Sequence, residues 1–149
     1  MQKIYFGMGC FWKPEEQFKN IKGILETEVG YAGGYKSKVT YEEVCQGNTG
    51  HAEVIKLTFD ENEISLKQIL DLFFKFHDPT QKDMQFPDIG TQYRSEVFYE
   101  TDDQKKDAEE VLNKKNKELN GKIQTNISKI KNYCKAEEYH QRYIEKKST

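Results

Sequence analysis

The sequence predicts a single α+β domain in which helices pack on a mixed sheet. The chain has 149 residues, which is enough for one domain that buries roughly two-thirds of its unfolded surface. Apolar residues recur at helical spacing in some segments and at every second position in others. These segments run in the order strand, helix, strand, strand, helix, strand, helix, strand, without repeats or linkers. Such a mixture in one chain is typical of the α+β class.

The elements of the first half are predicted from their apolar pattern and from the residues at their ends. Pro14 fits the first turn of a helix, because a missing N–H costs little there. Gly23 fits the end of that helix, which carries Phe18 and Ile21. The remaining predictions are strands over residues 3–7, 26–31 and 52–59, and a short helical turn over 41–46.

Two capping patterns mark the helices of the second half. Ser65 precedes a helix over 66–76, whose apolar residues recur at helical spacing. Thr101 and Gln104 form the pattern of a capping box for a polar helix that ends at Asn120-Gly121. The other predictions are an irregular segment over 77–92 that is either functional or disordered, strands over 93–99 and 124–130, and a terminal helix over 136–146.

The composition excludes several classes of function. The mean hydropathy of −0.91 and the lack of a long apolar run argue against a membrane span. The net charge of −2 argues against nucleic acid or an anionic membrane as the main partner. The N-terminus does not have the regions of a signal peptide. We therefore expect a cytoplasmic protein.

Three cysteines, Cys10, Cys45 and Cys134, are too few and too far apart for a structural disulfide framework. None of them lies in a C-x-x-C pair, and the three histidines do not add the short spacing of a zinc site. The sequence therefore predicts reduced thiols and no metal.

Cys10 stands in the stretch YFGMGCFWKPEE, between glycines and the only tryptophan. It follows a predicted strand and precedes a predicted helix, whose positive end stabilises a thiolate. This placement predicts a reactive thiol with a lowered pKa. A small buried hydrophobic residue in a core turn is the alternative, and the placement alone does not decide between them.

Glu53 lies on the predicted strand 52–59, which is otherwise apolar. Burial would raise the pKa of this carboxyl and make it a proton donor at neutral pH. The alternative is an exposed carboxylate on an edge strand. The neighbouring His51 is a candidate base or ligand, although a structural histidine is the simpler interpretation.

Phenols and one loop complete the candidate set. Tyr41 and Tyr93 lie near loops, and a phenol can donate a hydrogen bond to a developing oxyanion without changing its charge. Asp88, Gln92 and Arg94 cluster around a glycine in the irregular segment. These three side chains suggest one wall of a site.

Several motifs occur in a single order and carry a resemblance. They are Gly9-Cys-Phe-Trp12, Gly30-Tyr-Ala-Gly-Gly34, Thr40-Tyr41, Gly50-His-Ala-Glu53, His77-Asp-Pro79, Gly90-Thr-Gln-Tyr-Arg-Ser95 and Ala136-Glu-Glu-Tyr-His-Gln141. The chain resembles peptide methionine sulfoxide reductase A from Ile4 to Tyr143. This resemblance implies a two-layer α/β sandwich with a ferredoxin-like core and peripheral helices. It also implies thiol-dependent reduction of methionine-S-sulfoxide, free or in proteins.

The resemblance also implies the role of each site residue. Cys10 would attack the sulfoxide sulfur and become a sulfenic acid, and Glu53 would protonate the sulfoxide oxygen. Tyr41 and Tyr93 would hydrogen-bond that oxygen, and Asp88 would line the same pocket. The substrate's S-methyl group would lie against Phe11 and Trp12.

The thiol that restores Cys10 is left open. Many members of the family carry resolving cysteines in a C-terminal tail, and this sequence resembles a short form without that tail. Cys134, Cys45 or an external thiol could attack the sulfenic acid. The resemblance implies no bound cofactor, an external reductant such as thioredoxin, glutaredoxin or glutathione, and a monomer.

Two departures from the family pattern and two alternative functions remain. Lys13-Pro14 and Ile89 stand where many members have other residues, and Ile89 is expected to alter the rim of the pocket. A cysteine hydrolase using Cys10 and His51 would need no reductant. A binding module using Phe11 and Trp12 would not need the Cys10 thiol.

Overall fold

A mixed six-stranded sheet forms the centre of the fold, in the order β7-β6-β1-β3-β2-β8. The computed structural model describes residues 1–147. The four central strands, β6, β1, β3 and β2, are antiparallel to one another, whereas β7 is parallel to β6. Together with α1 and α3, these four strands form the β-α-β-β-α-β order of a ferredoxin-like core. The predicted α+β class and mixed sheet are confirmed.

The elements have the following bounds. The strands of the main sheet are β1 Gln2–Met8, β2 Ile24–Ala32, β3 Ala52–Phe59, β6 Ser95–Tyr99, β7 Asn126–Lys129 and β8 Cys134–Lys135. A separate hairpin is formed by β4 Met84–Gln85 and β5 Asp88–Ile89. The helices are α1 Trp12–Phe18, α2 Tyr41–Cys45, α3 Leu66–Phe76, α4 Asp102–Glu118 and α5 Tyr143–Lys147. Two short 3-10 helices span Thr91–Tyr93 and Glu138–His140.

The main core lies between one face of the sheet and α1, α3 and α4. Alternate residues of the central strands point into it, because side chains alternate along a strand. Its buried members are Ile4, Phe6, Met8, Phe18, Ile55, Leu57, Phe59, Ile64, Leu66, Ile69, Leu70, Phe73, Phe74, Val97, Ala108 and Val111. Glu53 shares the parity of Ile55, Leu57 and Phe59 on β3, and so it lies on the helix-covered face.

Two predicted element ends differ in the structure. The first helix ends at Phe18 and does not reach Gly23, because Ile21 and Ile24 close separate turns through backbone hydrogen bonds. At α4, Thr101 accepts from the Gln104 N–H as predicted. The Gln104 side chain, however, accepts from the N–H of Glu100 and donates to the carbonyl of Lys3, so the reciprocal half of the box is absent.

The predicted irregular segment over 77–92 contains more structure than the sequence indicated. It includes the hairpin of β4 and β5, which turns at a cis Phe86-Pro87 peptide. The 3-10 helix Thr91–Tyr93 follows, so Tyr93 precedes β6 and is not its first residue. Side-chain hydrogen bonds from Gln81 and Gln85 hold the segment together.

The predicted terminal helix over 136–146 is wrong. The segment follows β8, contains the 3-10 helix Glu138–His140 and becomes α-helical only at α5. Arg142 breaks the helix with a φ of 51°, while its N–H donates to the buried carboxylate of Glu15. The Gln141 side chain bonds both the N–H and the carbonyl of Val29 on β2. These tertiary hydrogen bonds outweigh the local helix propensity.

No helix within residues 1–147 is long and apolar enough to cross a membrane.

Candidate active site

Cys10 lies in the loop between β1 and α1 and is half-buried. The preceding Gly9 has a φ of 90°, a region that L side chains rarely adopt. A Cβ on Gly9 would also come within 2.7 Å of the Gln85 side chain. Glycine at this position therefore lets the hairpin of β4 and β5 pack against the cysteine loop.

The environment of Cys10 raises the pKa of its thiol to about 12, which overturns the predicted lowering. Burial is the main cause, and a hydrogen bond from the Trp12 backbone opposes it. The carboxylates of Glu53 and Asp88 raise the pKa further. The helix α1 has only seven residues, and the N–H of Phe11, the residue before it, donates to Glu53 and not to the thiol. At neutral pH Cys10 is therefore protonated in the free enzyme.

Glu53 is the buried acid of the site. Its side chain is 1% exposed, on a strand that lies between β1 and β2 and is not an edge strand. Oε1 accepts the N–H of Phe11 at 3.2 Å, whereas Oε2 has no partner among the described residues. Burial raises the pKa of Glu53 to about 8, the Phe11 N–H opposes the rise, and the charge of Asp88 adds to it. The carboxyl therefore carries a proton at neutral pH, as predicted.

Tyr41 and Cys45 begin and end the five-residue helix α2. Residues four positions apart share one face of a helix. Burial raises the pKa of the Cys45 thiol, and hydrogen bonds from Tyr41 and Tyr93 oppose that rise. The charge of Cys45 also acts on Cys10. The structure thus places Cys45, which is exposed, with the candidate site residues.

Tyr93 and Asp88 come from the segment between α3 and β6. Burial raises the pKa of the Tyr93 phenol, with further contributions from the charges of Glu53, Cys45, Asp88 and Cys10. Asp88 pairs with Gln85 across the hairpin, and Gln85 is the residue that packs on Gly9. Both residues therefore lie beside Cys10 and Glu53.

Aromatic rings line the other side of Cys10. Phe11 is buried, with its ring centroid 5.6 Å from that of Tyr31. Trp12 is half-buried and stacks on Tyr143, with centroids 3.8 Å apart and an interplanar angle of 11°. Phe11 and Trp12, which directly follow Cys10 in the chain, thus form an apolar wall together with Tyr31 and Tyr143.

Sequence reasoning missed the contribution of the segment over 137–141. Glu137 accepts the Tyr31 hydroxyl at 2.7 Å and the Tyr41 N–H at 3.0 Å, and so it fixes the start of α2. His140 is 1% exposed and contacts the rings of Phe11, Trp12 and Tyr41. The motif Ala136-Glu-Glu-Tyr-His-Gln141 was the available signal. Its assignment to a helix concealed the fact that two of its side chains, those of Glu137 and His140, reach the site.

The other candidate residues have hydrogen bonds that stabilise the surrounding loops and strands. Arg94 donates to Glu96 at 2.6 Å and to two backbone carbonyls, so its hydrogen bonds stabilise the loop and not the site. Gln92 is buried and donates to the Cys45 carbonyl at 3.3 Å. The Cys134 thiol donates to the carbonyls of Val39 and Lys135 at 3.7 Å each.

The two remaining histidines have structural partners. The Nε2 of His51 lies 3.3 Å from the carbonyl of Asn132, and no contact of His51 within residues 1–147 joins it to Cys10. His77 bonds the Phe73 carbonyl and the Ser95 hydroxyl, and burial lowers its pKa to about 4. The geometry therefore does not support a hydrolase pair of Cys10 and His51.

Neither metal ligation nor cavity size marks the site. Among residues 1–147, no group of three or more His, Cys, Asp and Glu side chains is arranged to hold a metal ion. A polar cleft of about 470 Å³ lies between α1, β2 and the C-terminal segment, and Cys10 is not among its lining residues. The chemistry of the side chains therefore defines the candidate site.

Comparison with known proteins agrees with this site. Residues 2–149 match the family model of peptide methionine sulfoxide reductase. The chain belongs to the peptide methionine sulfoxide reductase family. It is 55% identical to the peptide methionine sulfoxide reductase MsrA of Pelagibacter ubique, over 99% of this chain and 100% of that protein. The activity of the chain is therefore the reduction of methionine sulfoxide to methionine.

Solved structures of reductases from this family have the same fold. Mxr1 from Saccharomyces cerevisiae in reduced form is 38% identical, with a TM-score of 0.95 over 99% of this chain and 86% of that chain. The same yeast protein in complex with Trx2 is 26% identical, with a TM-score of 0.68 over 95% of this chain and 84% of that chain. The predicted family membership and fold are confirmed.

Proposed function

We propose that this reductase acts on methionine-S-sulfoxide with Cys10 as the nucleophile and Glu53 as the general acid. The observation that carries the proposal is the pKa of about 8 at the buried Glu53 carboxyl, beside the only half-buried thiol in this loop. A sulfoxide oxygen leaves only after it gains protons, so the reaction needs an acid that is protonated at neutral pH.

The resting site holds the protons that the reaction consumes. With pKa values of about 8 for Glu53 and about 12 for Cys10, both groups are protonated at pH 7. The sulfoxide oxygen takes two protons to leave as water. Transfer from Glu53 to the oxygen creates a carboxylate, which then accepts the thiol proton of Cys10 and passes it on. The thiolate thus forms only when substrate is bound.

The electrons and atoms of the step balance as follows. The Cys10 sulfur gives an electron pair to the sulfoxide sulfur, an S–S bond forms and the S–O bond breaks. Water then adds to the Cys10 sulfur, the S–S bond breaks and the pair returns to the substrate sulfur. The products are methionine and a Cys10 sulfenic acid, so the substrate is reduced by two electrons and the cysteine is oxidised by two.

Tyr41, Tyr93 and Asp88 complete the pocket in this proposal. The two phenols are half-buried, and burial raises the pKa of each. They therefore stay protonated and donate hydrogen bonds to the sulfoxide oxygen as its charge grows. Phe11 and Trp12 bind the S-methyl group through apolar contact.

For the next step we favour Cys45 over Cys134 among the internal thiols. Cys45 shares the hydrogen-bonding environment of Tyr41 and Tyr93, and it is exposed. The Cys134 thiol donates to the carbonyl of Val39, in the loop before α2, and to that of Lys135 on β8. Attack of Cys45 on the sulfenic acid releases water and forms a disulfide.

An external dithiol then reduces that disulfide. The yeast relative is known in complex with Trx2, which supports a thioredoxin-type reductant for this chain, with glutaredoxin or glutathione as alternatives. We propose that the enzyme acts as a monomer. Three free thiols fit the reducing conditions of the cytoplasm.

The proposal is tested with a thioredoxin-coupled assay on the separate sulfoxide epimers, free and within a peptide. We expect turnover of the S epimer by the wild type and none by Cys10→Ser. Cys134→Ser is the matched control, because it removes a half-buried thiol outside the site. Turnover by Cys10→Ser, or of the R epimer alone, would contradict the proposal.

A further inference from the structure

We propose that His140 is a positioning residue of this site, which fixes the indole of Trp12 for binding of the substrate's S-methyl group. The inference rests on the proposed role of Trp12. The Nε1–H of Trp12 donates to Nδ1 of His140 at 3.0 Å. This bond joins the substrate wall after β1 to a residue 128 positions later in the chain.

The hydrogen bond determines the protonation state of His140. A neutral imidazole has one nitrogen that donates and one that accepts. Because Nδ1 accepts from Trp12, the single proton of His140 lies on Nε2. Burial lowers the pKa of His140, against the opposing charge of Glu137. The neutral ring is therefore favoured, and only that form can hold the indole.

The contact is not explained by stability alone. His140 is 1% exposed, and its Nε2 has no hydrogen-bond partner among residues 1–147. A buried donor without a partner lowers stability. A phenylalanine would fill the same space among Phe11, Tyr41 and Tyr139 without that penalty. Residues that break a local rule in this manner are expected at functional sites.

Trp12 needs an anchor because it is only half-buried. Its indole has three described contacts with the C-terminal segment: the hydrogen bond to His140, a ring contact with His140 and the stack on Tyr143. Stacking restrains the tilt of the ring but permits sliding, whereas the directional N–H···N bond fixes the ring within its plane. His140 therefore sets the position of the wall relative to Cys10.

The effect on kinetics should fall on KM. The S-methyl group changes little between the bound substrate and the transition state, so the wall binds both equally. Loss of such uniform binding raises KM and leaves kcat nearly unchanged. A purely structural role would instead lower stability and the amount of active enzyme.

The test compares two substitutions that separate the ring from the acceptor. His140→Phe keeps an aromatic ring but removes the nitrogen that accepts from Trp12. His140→Asn loses the ring but keeps an acceptor, its Oδ1, at the position of Nδ1. Tyr139→Leu is the control, since the exposed Tyr139 touches the His140 ring. Each variant is assayed for kcat, KM and thermal unfolding. The fluorescence anisotropy of Trp12, the only tryptophan, reports its mobility directly.

For His140→Phe we expect a rise in KM of about fivefold to tenfold, because the hydrogen bond that orients the indole of Trp12 is lost. Its kcat and unfolding temperature should stay near those of the wild type, and Trp12 should gain mobility. His140→Asn should recover most of the KM, and Tyr139→Leu should match the wild type. In a Trp12→Phe background, His140→Phe should have no further effect on KM.

An unchanged KM and anisotropy in His140→Phe would overturn the inference, as would an equal rise in KM in the Trp12→Phe background. Failure of the wild type to reduce methionine sulfoxide would instead refute the proposed function. The anisotropy of Trp12 would still report in that case whether His140 anchors the indole.

Discussion

The N–H of Phe11 donates to Oε1 of Glu53 at 3.2 Å, joining the residue before α1 to the second residue of β3. The bond orients the acid and leaves Oε2 without a partner among the described residues, so that Oε2 is free to donate. Burial is the main cause of the raised pKa of the Cys10 thiol, which keeps its proton at neutral pH. The site therefore holds two protons, one on the acid and one on the thiol.

Replacing Glu53 by Gln should slow reduction by about 10²- to 10⁴-fold at neutral pH, because the general acid is lost while the shape is kept. In the wild type, kcat/KM should lose its general-acid contribution as the pH rises through about 8, where Glu53 loses its proton. The measurement is the pH profile of kcat/KM for both proteins. A Glu53→Gln enzyme with the wild-type rate would contradict the assignment.

Glu53 should also make stability depend on pH. Its pKa is raised from 4.5 to about 8 by folding, so the folded state binds this proton more tightly than the unfolded chain. The resulting stabilisation is complete below pH 4.5 and is lost as the pH rises through about 8.

Since Gln does not titrate, Glu53→Gln should gain in free energy of unfolding relative to the wild type between these pH values. Urea denaturation at pH 5 and pH 8.5 measures the difference. An identical pH dependence in the two proteins would show that Glu53 titrates in the folded state as it does in the unfolded chain.

Tyr41→Phe and Tyr93→Phe should each lower kcat by up to about a hundredfold, as for loss of one donor to a developing oxyanion. The phenyl ring keeps the packing, so stability should change little. Tyr35→Phe is the control, because Tyr35 is 67% exposed. Single-turnover rates measure the effect on chemistry, and wild-type rates in both variants would remove the phenols from the mechanism.

Mass analysis after addition of substrate without reductant identifies the resolving thiol. With Cys45 as the resolver, the wild type and Cys134→Ser should each lose two hydrogens through a disulfide. Cys45→Ser should instead gain one oxygen on Cys10. The reverse pattern would assign the step to Cys134, and oxygen gain in all three proteins would assign it to an external thiol.

Sequence patterns predicted the elements whose signals are local. Ser65 caps α3 and the apolar residues Val54, Ile55 and Leu57 mark β3, because side-chain spacing and end residues act within a few positions. Both faces of β3 are buried, and Glu53 lies on the same face as Ile55 and Leu57. The helix predicted over 136–146 was wrong because the hydrogen bonds of this segment go to β2 and to Glu15, which are far away in the chain.

By itself, the sequence determined the family, the order of the central strands and helices along the chain, and the identity of the candidate thiol and acid. Tertiary structure decided the electrostatics. The pKa of Cys10 rises, against the sequence-based expectation, because burial and distant carboxylates outweigh the end of a short helix. Tertiary structure also brought Cys45, Glu137 and His140 to the site. Desolvation and these contacts depend on which parts of the chain meet, and no local pattern encodes that.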